Sequence, residues 1–291
     1  MVYRRAVNGS NRGTPTGWQV NHSCYNGGMA LLTEDFSAVE FVLCDLDGVV
    51  WLSHQPIEGS PEAIERLRSS GRRVLFVTNN SYSRIADQEA ALANIGIPAV
   101  GDVVTSAQAG AALVAGGESA LVCGGPGVVE ALEARGARVV RDGDADAVLV
   151  GFHRNFDWER MRIASNAVRR GARFVATNDD ATYPTSEGPV PGGGAIVASV
   201  AVAAGVDPVI AGKPHEPMAA LVREICGPRF SARTVIMVGD RWSTDGLFAD
   251  TLGCRYALVR SGVLAPGAQP DGVASIDVAD LARVADVLLA T

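Results

Sequence analysis

Two aspartates separated by one residue follow a short apolar run near the start of the organised part of the chain. Asp45 and Asp47 come directly after Phe41–Cys44, and Gly48 lets the backbone turn tightly behind them. One carboxylate of such a pair can attack phosphorus while the other protonates the leaving oxygen, which splits a hydrolysis into two easier displacements. A pair of loop acids that cap a helix or lie in solvent explains the spacing equally well.

A second polar group follows the next apolar run. Thr78, Asn79 and Asn80 come after residues 73–77 and offer a hydroxyl, two amides and backbone N–H groups, which suit phosphate oxygens. Thr and Asn are also favoured helix caps, so capping is the simpler explanation of this group taken alone.

Charged residues follow two later apolar runs. Lys213, between a glycine and a proline, could offset negative charge on a nucleophile and a phosphate, although a solvated surface lysine is the simpler explanation. Asp240 follows the run 234–238 with only Gly239 between them, and Asp245 lies at the start of the next predicted helix. Carboxylates in such places can bind Mg²⁺, and Asp245 can also cap its helix.

Apolar runs and helical segments alternate along the chain. Strand, helix, strand, helix over residues 41–95 is the pattern of a parallel sheet with crossover helices, and the last third returns to the same units. The carboxyl ends of parallel strands open onto one crevice, so we expect the four polar groups to meet there. The Gly/Pro-rich segment 187–194 is predicted to be a loop.

Composition excludes several classes of protein. The net charge of −7 argues against nucleic acid and anionic membranes as partners, and no apolar stretch is long enough to span a bilayer. Five scattered cysteines without a CxxC pair predict reduced thiols and a cytoplasmic location. Residues 1–28 are rich in polar residues and glycine and are predicted to be disordered, and composition alone leaves open whether they belong to the native protein.

A glycine-rich turn invites a different interpretation. Gly125 and Gly127 follow an apolar run and precede a predicted helix, as in dinucleotide-binding proteins, but Glu130 stands where a third glycine or alanine is needed. We therefore interpret this segment as a tight turn between a strand and a helix.

From about residue 39 to the C-terminus the chain resembles the haloacid dehalogenase superfamily, in the subclass with a large cap between the second and third motifs. Asp-Leu-Asp-Gly-Val at 45–49, Thr-Asn-Asn-Ser at 78–81, Gly-Lys-Pro at 212–214 and Gly-Asp-Arg-x-x-Thr-Asp at 239–245 carry the likeness. Within the superfamily it looks most like bacterial nucleotide, 4-nitrophenyl-phosphate and phosphoglycolate phosphatases. The resemblance implies an α/β fold with a Rossmann-like core at 36–103 and 207–291, an α/β cap segment at 104–206, and an N-terminal extension at 1–35.

The resemblance also implies roles for the acidic residues. Asp45 would be the nucleophile and Asp47 the general acid, later the base. Mg²⁺ would be held by Asp45, the backbone carbonyl of Asp47 and Asp240, with Asp245 supporting this shell of ligands.

The same resemblance places the transferring phosphoryl group against Thr78, Asn79, Asn80 and Lys213. It implies a small phosphorylated metabolite as partner and leaves a homodimer through the cap segment open. Glycerol 3-phosphate is the first substrate expected, ahead of phosphoglycolate, sugar phosphates, nucleoside monophosphates and 4-nitrophenyl phosphate. A phosphomutase or phosphotransferase would use the same nucleophile but retain the phosphate, and a non-catalytic binder would not need the Asp45 and Asp47 pair.

Overall fold

The structure, a computed structural model, describes residues 35–185, 188–262 and 271–290 of the chain. All of the predicted N-terminal extension except residue 35 therefore lies outside the described residues. Within the described ranges, no helix is both long and apolar enough to pass through a membrane.

Strands in the described residues form two parallel sheets and two small hairpins. In chain order they are β1 Phe41–Cys44, β2 Trp51–Leu52, β3 Gln55–Pro56, β4 Arg73–Thr78, β5 Val103–Thr105, β6 Ser119–Cys123, β7 Arg138–Val140, β8 Ala147–Val150, β9 Arg173–Ala176, β10 Thr182–Thr185, β11 Gly188–Pro191, β12 Val209–Ile210, β13 Val235–Gly239, β14 Arg255–Val259 and β15 Ile276–Val278.

Helices alternate with these strands. They are α1 Ser60–Ser69, α2 Ile85–Asn94, α3 Ser106–Ala111, α4 Pro126–Ala134, α5 Trp158–Arg169, α6 Gly193–Ala204, α7 Glu216–Cys226, α8 Leu247–Leu252 and α9 Leu281–Leu289. A 3₁₀ turn follows α7 at Gly227–Arg229, and a π-helical turn precedes α8 at Trp242–Gly246.

The larger sheet has the strand order β15-β14-β13-β1-β4-β5, with every neighbouring pair parallel. Its central strands are nearly continuous apolar runs, as expected of strands covered on both faces. Helices α1 and α9 pack on one face, while α7 and α8 pack on the other. This architecture confirms the predicted α/β fold and places the carboxyl ends of β4, β1 and β13 side by side.

The smaller sheet has the order β12-β9-β8-β6-β7 and is also parallel. Strand β12 pairs with β9 in this sheet, although the strand–helix pattern of the last third predicted a strand of the same sheet as β1 and β13. The strands change sheets between β5 and β6 and again between β12 and β13. The division of the chain at 103/104 and 206/207 stays a prediction.

Helix α3 lies between the two sheets. Thr105, the last residue of β5, caps it: the Thr105 hydroxyl accepts the N–H of Gln108 at 3.2 Å, and Gln108 Oε1 accepts the N–H of Thr105 at 2.8 Å. The remaining residues of α3 are small and mostly buried, so helices α4 and α7 approach it closely. One apolar core thereby continues from the larger sheet into the smaller one.

The Gly/Pro-rich segment is more regular than predicted. Its described part, residues 188–194, contains β11, which pairs antiparallel with β10, and the start of α6 at Gly193; residue 187 lies outside the described residues. Prolines are tolerated in such a two-stranded ribbon because each strand has an edge that needs no N–H donor.

Candidate active site

Asp45 lies directly after the central strand β1. Its N–H donates to the carbonyl of Val238 at 2.9 Å, which fixes it beside the end of β13. The side chain keeps 15% of its exposure. The carboxylate is therefore held by its surroundings and still reachable from the crevice.

Lys213 is buried, and its ammonium contacts two carboxylates. Nζ donates to Oδ1 of Asp45 and to Oδ1 of Asp245, each at 2.7 Å. Burial disfavours the charged amine, but the negative charges of Asp245 and Asp45 outweigh it and raise the pKa of Lys213. The ammonium thus keeps its proton and can offset charge on Asp45 and on an incoming anion.

Asp240 joins these two carboxylates. Asp45, Asp240 and Asp245 each place one oxygen within 4.8 Å of the other two. Hard divalent cations favour carboxylate oxygens, and three anionic groups this close need positive charge between them, so the residues fit Mg²⁺. One oxygen of Asp245 accepts from Nζ of Lys213, and the other accepts the N–H of Arg241 at 3.3 Å, so both oxygens of Asp245 already have hydrogen-bond donors.

Two glycines make room for the Asp240 carboxylate. A Cβ at Gly48 would lie 2.5 Å from Oδ2 of Asp240, and one at Gly262 would lie 1.9 Å from the same oxygen. Gly48 also has φ +87°, a left-handed conformation that side chains rarely adopt. The sequence predicted Gly48 as a turn residue but gave no reason to expect Gly262 at the site.

Asp47 lies two residues after Asp45, in the loop that follows β1. Solvent reaches its side chain, yet desolvation by the surrounding protein, and then the charge of Asp45, raise the pKa of Asp47 to about 6. A carboxyl group with that pKa is partly protonated near neutral pH, as a general acid requires.

Thr78 and Asn80 organise the turn after β4. The buried Thr78 hydroxyl accepts the N–H of Asn80 at 3.1 Å. Oδ1 of Asn80 accepts the N–H groups of Tyr82 at 3.0 Å and Ser83 at 3.3 Å. Asn80 therefore stabilises the loop itself and does not cap α2, whose N-cap is Arg84 with no side-chain cap. The phosphate contacts of Thr78 and Asn80 stay predictions.

The side chain of Asn79 is engaged by other residues. Its carboxamide contacts the backbone of Lys213 and the carboxylate of Asp180, and its backbone carbonyl accepts from Asn178. The family resemblance implies a substrate loop near residues 176–184 in which Asp180 could contact a leaving group, or form an ordinary polar turn. Its contact with Asn79, about a hundred positions earlier, and the role of Asn178 were not expected.

The glycine-rich turn at 124–127 packs against this same loop. A Cβ at Gly125 would lie 2.4 Å from the Tyr82 ring, and one at Gly127 would lie 2.2 Å from the carbonyl oxygen of Ser83. The N–H of Gly127 donates to the carbonyl of Tyr82 at 2.9 Å. These glycines thus allow close approach of two backbone segments, in agreement with the tight turn predicted there.

Comparison with known proteins identifies relatives over most of the chain. Residues 42–138 match the family model described as haloacid dehalogenase-like hydrolase, and residues 210–285 match one described as HAD-hydrolase-like. A D-glycerol 3-phosphate phosphatase of Mycobacterium tuberculosis is 41% identical to this chain over the aligned region. That region is 76% of this chain and 63% of the relative's length. An acid sugar phosphatase of Staphylococcus saprophyticus is 37% identical over 76% of this chain and 86% of its own length.

Solved structures agree in fold. A 4-nitrophenylphosphatase from Thermotoga maritima has a TM-score of 0.77 at 30% identity, covering 86% of this chain and 98% of its own. A glycerol phosphate phosphatase from Mycobacterium tuberculosis, crystallised with magnesium, has a TM-score of 0.76 at 33% identity, covering 84% of this chain and 77% of its own.

Proposed function

Because the chain belongs to the haloacid dehalogenase-like hydrolases, we propose that it is a Mg²⁺-dependent phosphatase that passes a phosphoryl group to Asp45 and then to water. The observation that carries the proposal is the pair of 2.7 Å contacts from Lys213 to Asp45 and Asp245, beside Asp240. Phosphoryl transfer depends mainly on positioning and on positive charge near the transferring group, and this arrangement supplies both.

The side chains allow two balanced steps. In the first, an oxygen of Asp45 bonds to phosphorus as the bond to the leaving oxygen breaks, and Asp47 gives its proton to that oxygen. In the second, Asp47 takes a proton from the water that attacks phosphorus, and inorganic phosphate leaves with Asp45 restored. Mg²⁺ held by Asp45, the Asp47 carbonyl and Asp240 would add positive charge beside the phosphate. Lys213 keeps the nucleophile aligned and offsets the charge of the phosphate.

For the substrate, we propose a small phosphomonoester, with glycerol 3-phosphate as first candidate. The 41% identity to a relative named D-glycerol 3-phosphate phosphatase supports that choice. Relatives named acid sugar phosphatase and 5′-nucleotidase support a panel that includes sugar phosphates and nucleoside monophosphates.

Release of inorganic phosphate from this panel, with and without Mg²⁺, tests the proposal. Asp45→Asn should abolish release while circular dichroism shows an intact fold, and Asp87→Asn, an exposed aspartate of α2, should match the wild type. Release by Asp45→Asn at the wild-type rate would refute the covalent mechanism. Transfer of phosphate to a second alcohol, with none released, would instead identify a phosphotransferase. Cytoplasmic location and a homodimer through the cap segment stay predictions, and sedimentation would measure the latter.

A further inference from the structure

The carboxamide of Asn79 holds the backbone of Lys213 from both sides. Oδ1 of Asn79 accepts the N–H of Lys213 at 2.8 Å, and Nδ2 donates to the Lys213 carbonyl at 3.0 Å. A Cβ at Gly212 would lie 2.5 Å from Oδ1 of Asn79, so the glycine before Lys213 is what allows this approach.

The same carboxamide reaches the cap segment. Nδ2 of Asn79 also donates to Oδ2 of Asp180 at 3.0 Å. Only one orientation of the amide fits all three contacts, because the Lys213 N–H needs an acceptor and the two other partners need donors. Both N–H groups of Asn79 are therefore committed, and its side chain has no donor left for a phosphate oxygen.

Asp180 is well placed to hold Asn79. Its own N–H donates to Oδ1 of Asn178 at 3.3 Å, and Nδ2 of Asn178 donates to the carbonyl of Asn79 at 2.9 Å. The cap segment thus forms hydrogen bonds with both the side chain and the backbone carbonyl of Asn79. Burial raises the pKa of the Asp180 carboxyl, and the hydrogen bond from Asn79 opposes that rise.

The backbone of Lys213 in turn determines where its ammonium lies. The side chain is buried, so it cannot swing to compensate for a shift of its own peptide group. Displacement of a catalytic group by about 1 Å can cost about 100-fold in rate.

We propose that Asn79 is a positioning residue through which Asp180 of the cap segment aligns Lys213 with Asp45. This inference rests on the proposed phosphatase function. In this proposal Asn79 does not bind the phosphate directly. It positions Lys213, whose ammonium contacts Asp45.

Steady-state kinetics test the chain of contacts. Asn79→Ala and Asp180→Ala should each lower kcat about 10-fold or more, with KM changed less than about 2-fold. Asp180→Asn keeps an acceptor for Asn79 and should restore kcat to within about 3-fold of wild type. The double variant Asn79→Ala with Asp180→Ala should be no slower than Asn79→Ala alone. Additive losses, or a raised KM and phosphate inhibition constant with unchanged kcat, would overturn the proposal.

A second readout does not depend on turnover. Lys213 is the single lysine among the 25 lysines and arginines of the chain, so protein labelled with ¹⁵N-lysine gives one backbone amide resonance. That resonance should shift, and its N–H should exchange about 10-fold faster, in both Asn79→Ala and Asp180→Ala. It should not move in Asp180→Asn, or in Asp142→Ala, an exposed cap-segment control.

An unmoved resonance in Asp180→Ala would refute the connection from the cap segment to Lys213, whatever the kinetics. A wild-type protein that releases no phosphate would refute the proposed function, while this resonance would still decide the connection.

Discussion

The ammonium nitrogen of Lys213 lies 2.7 Å from Oδ1 of Asp45, although the two residues follow strands of different sheets. Asp45 follows β1 in the middle of the larger sheet, and Lys213 follows β12 at the edge of the smaller one. The positive charge beside the proposed nucleophile therefore depends on contacts between segments of the two sheets, and several measurable properties depend on it.

Substitution of Lys213 should show that the site needs a compact charge. Lys213→Met should lower kcat by about 100-fold or more, since it removes the cation that faces Asp45. It should also destabilise the metal-free protein by about 3 kcal/mol, because Asp45 and Asp245 lose their shared partner. Phosphate release and urea unfolding measure the two effects.

Lys213→Arg is the matched control for charge alone. Apart from Lys213, every lysine-or-arginine position of the chain holds arginine. A planar guanidinium, however, cannot occupy a fully buried site shaped for an ammonium. We expect it to recover less than about a tenth of wild-type kcat. Full activity in Lys213→Arg would show that charge, and not shape, is what the site requires.

Asp47→Asn should affect substrates according to their leaving groups. The variant cannot protonate the leaving oxygen, so release from glycerol 3-phosphate should fall about 100-fold or more. 4-Nitrophenolate needs little protonation, so 4-nitrophenyl phosphate should still phosphorylate Asp45. The resulting aspartyl phosphate should then hydrolyse slowly without a base, and one equivalent of 4-nitrophenolate should appear as a burst.

The pH profile of the wild type gives an independent check on Asp47. A group that must be protonated, with its pKa raised to about 6, predicts that kcat/KM for glycerol 3-phosphate falls as pH rises above about 6. The second ionisation of the phosphate lies near the same pH, so the comparison with Asp47→Asn is essential. A basic limb that persists unchanged in Asp47→Asn would assign it to the substrate and not to Asp47.

The sequence predicted much of the site because strand ends in a parallel sheet are local features. Apolar runs before Asp45, Thr78 and Asp240 marked the strands, and the rule that ligands bind at their carboxyl ends brought these residues together. The structure places them there, and their chemical roles stay predictions.

The remaining features depend on contacts between segments that are far apart in the chain. Strand β12 reads as one more strand of the larger sheet, and only its pairing with β9 shows otherwise. Gly262 has no pattern of its own that points to the site, and nothing in the sequence relates Asp180 to Asn79. One feature of the sequence does single out Lys213: it is the only lysine of the chain, and every other lysine-or-arginine position holds arginine.

A side chain at Gly127, in the first turn of α4, should lower the stability of the protein. A methyl group would lie 2.2 Å from the Ser83 carbonyl and 2.8 Å from that of Ser81, both backbone atoms that cannot rotate away. Gly127→Ala should lower the free energy of unfolding by about 2 kcal/mol. Gly110→Ala is the control, because its nearest neighbours would be side-chain carbons at 3.6 Å or more. An equal loss in both variants would contradict the close approach of the two loops.

Mg²⁺ binding should stabilise the protein only while the carboxylate set is complete. Asp45, Asp240 and Asp245 crowd three negative groups within 4.8 Å, and a bound cation relieves that repulsion only in the folded state. Mg²⁺ at ten times its dissociation constant should therefore add about 1.4 kcal/mol to the free energy of unfolding. Asp240→Asn should lose most of this gain, whereas the exposed Asp87→Asn should keep it.

The ¹⁵N-lysine ammonium resonance should move with Mg²⁺ in the wild type, since Nζ of Lys213 touches a proposed ligand, and stay fixed in Asp240→Asn. If neither the Lys213 ammonium resonance nor the free energy of unfolding of the wild type changes with Mg²⁺, the cation binds elsewhere. Asp240 would then have to act through Asp45 alone.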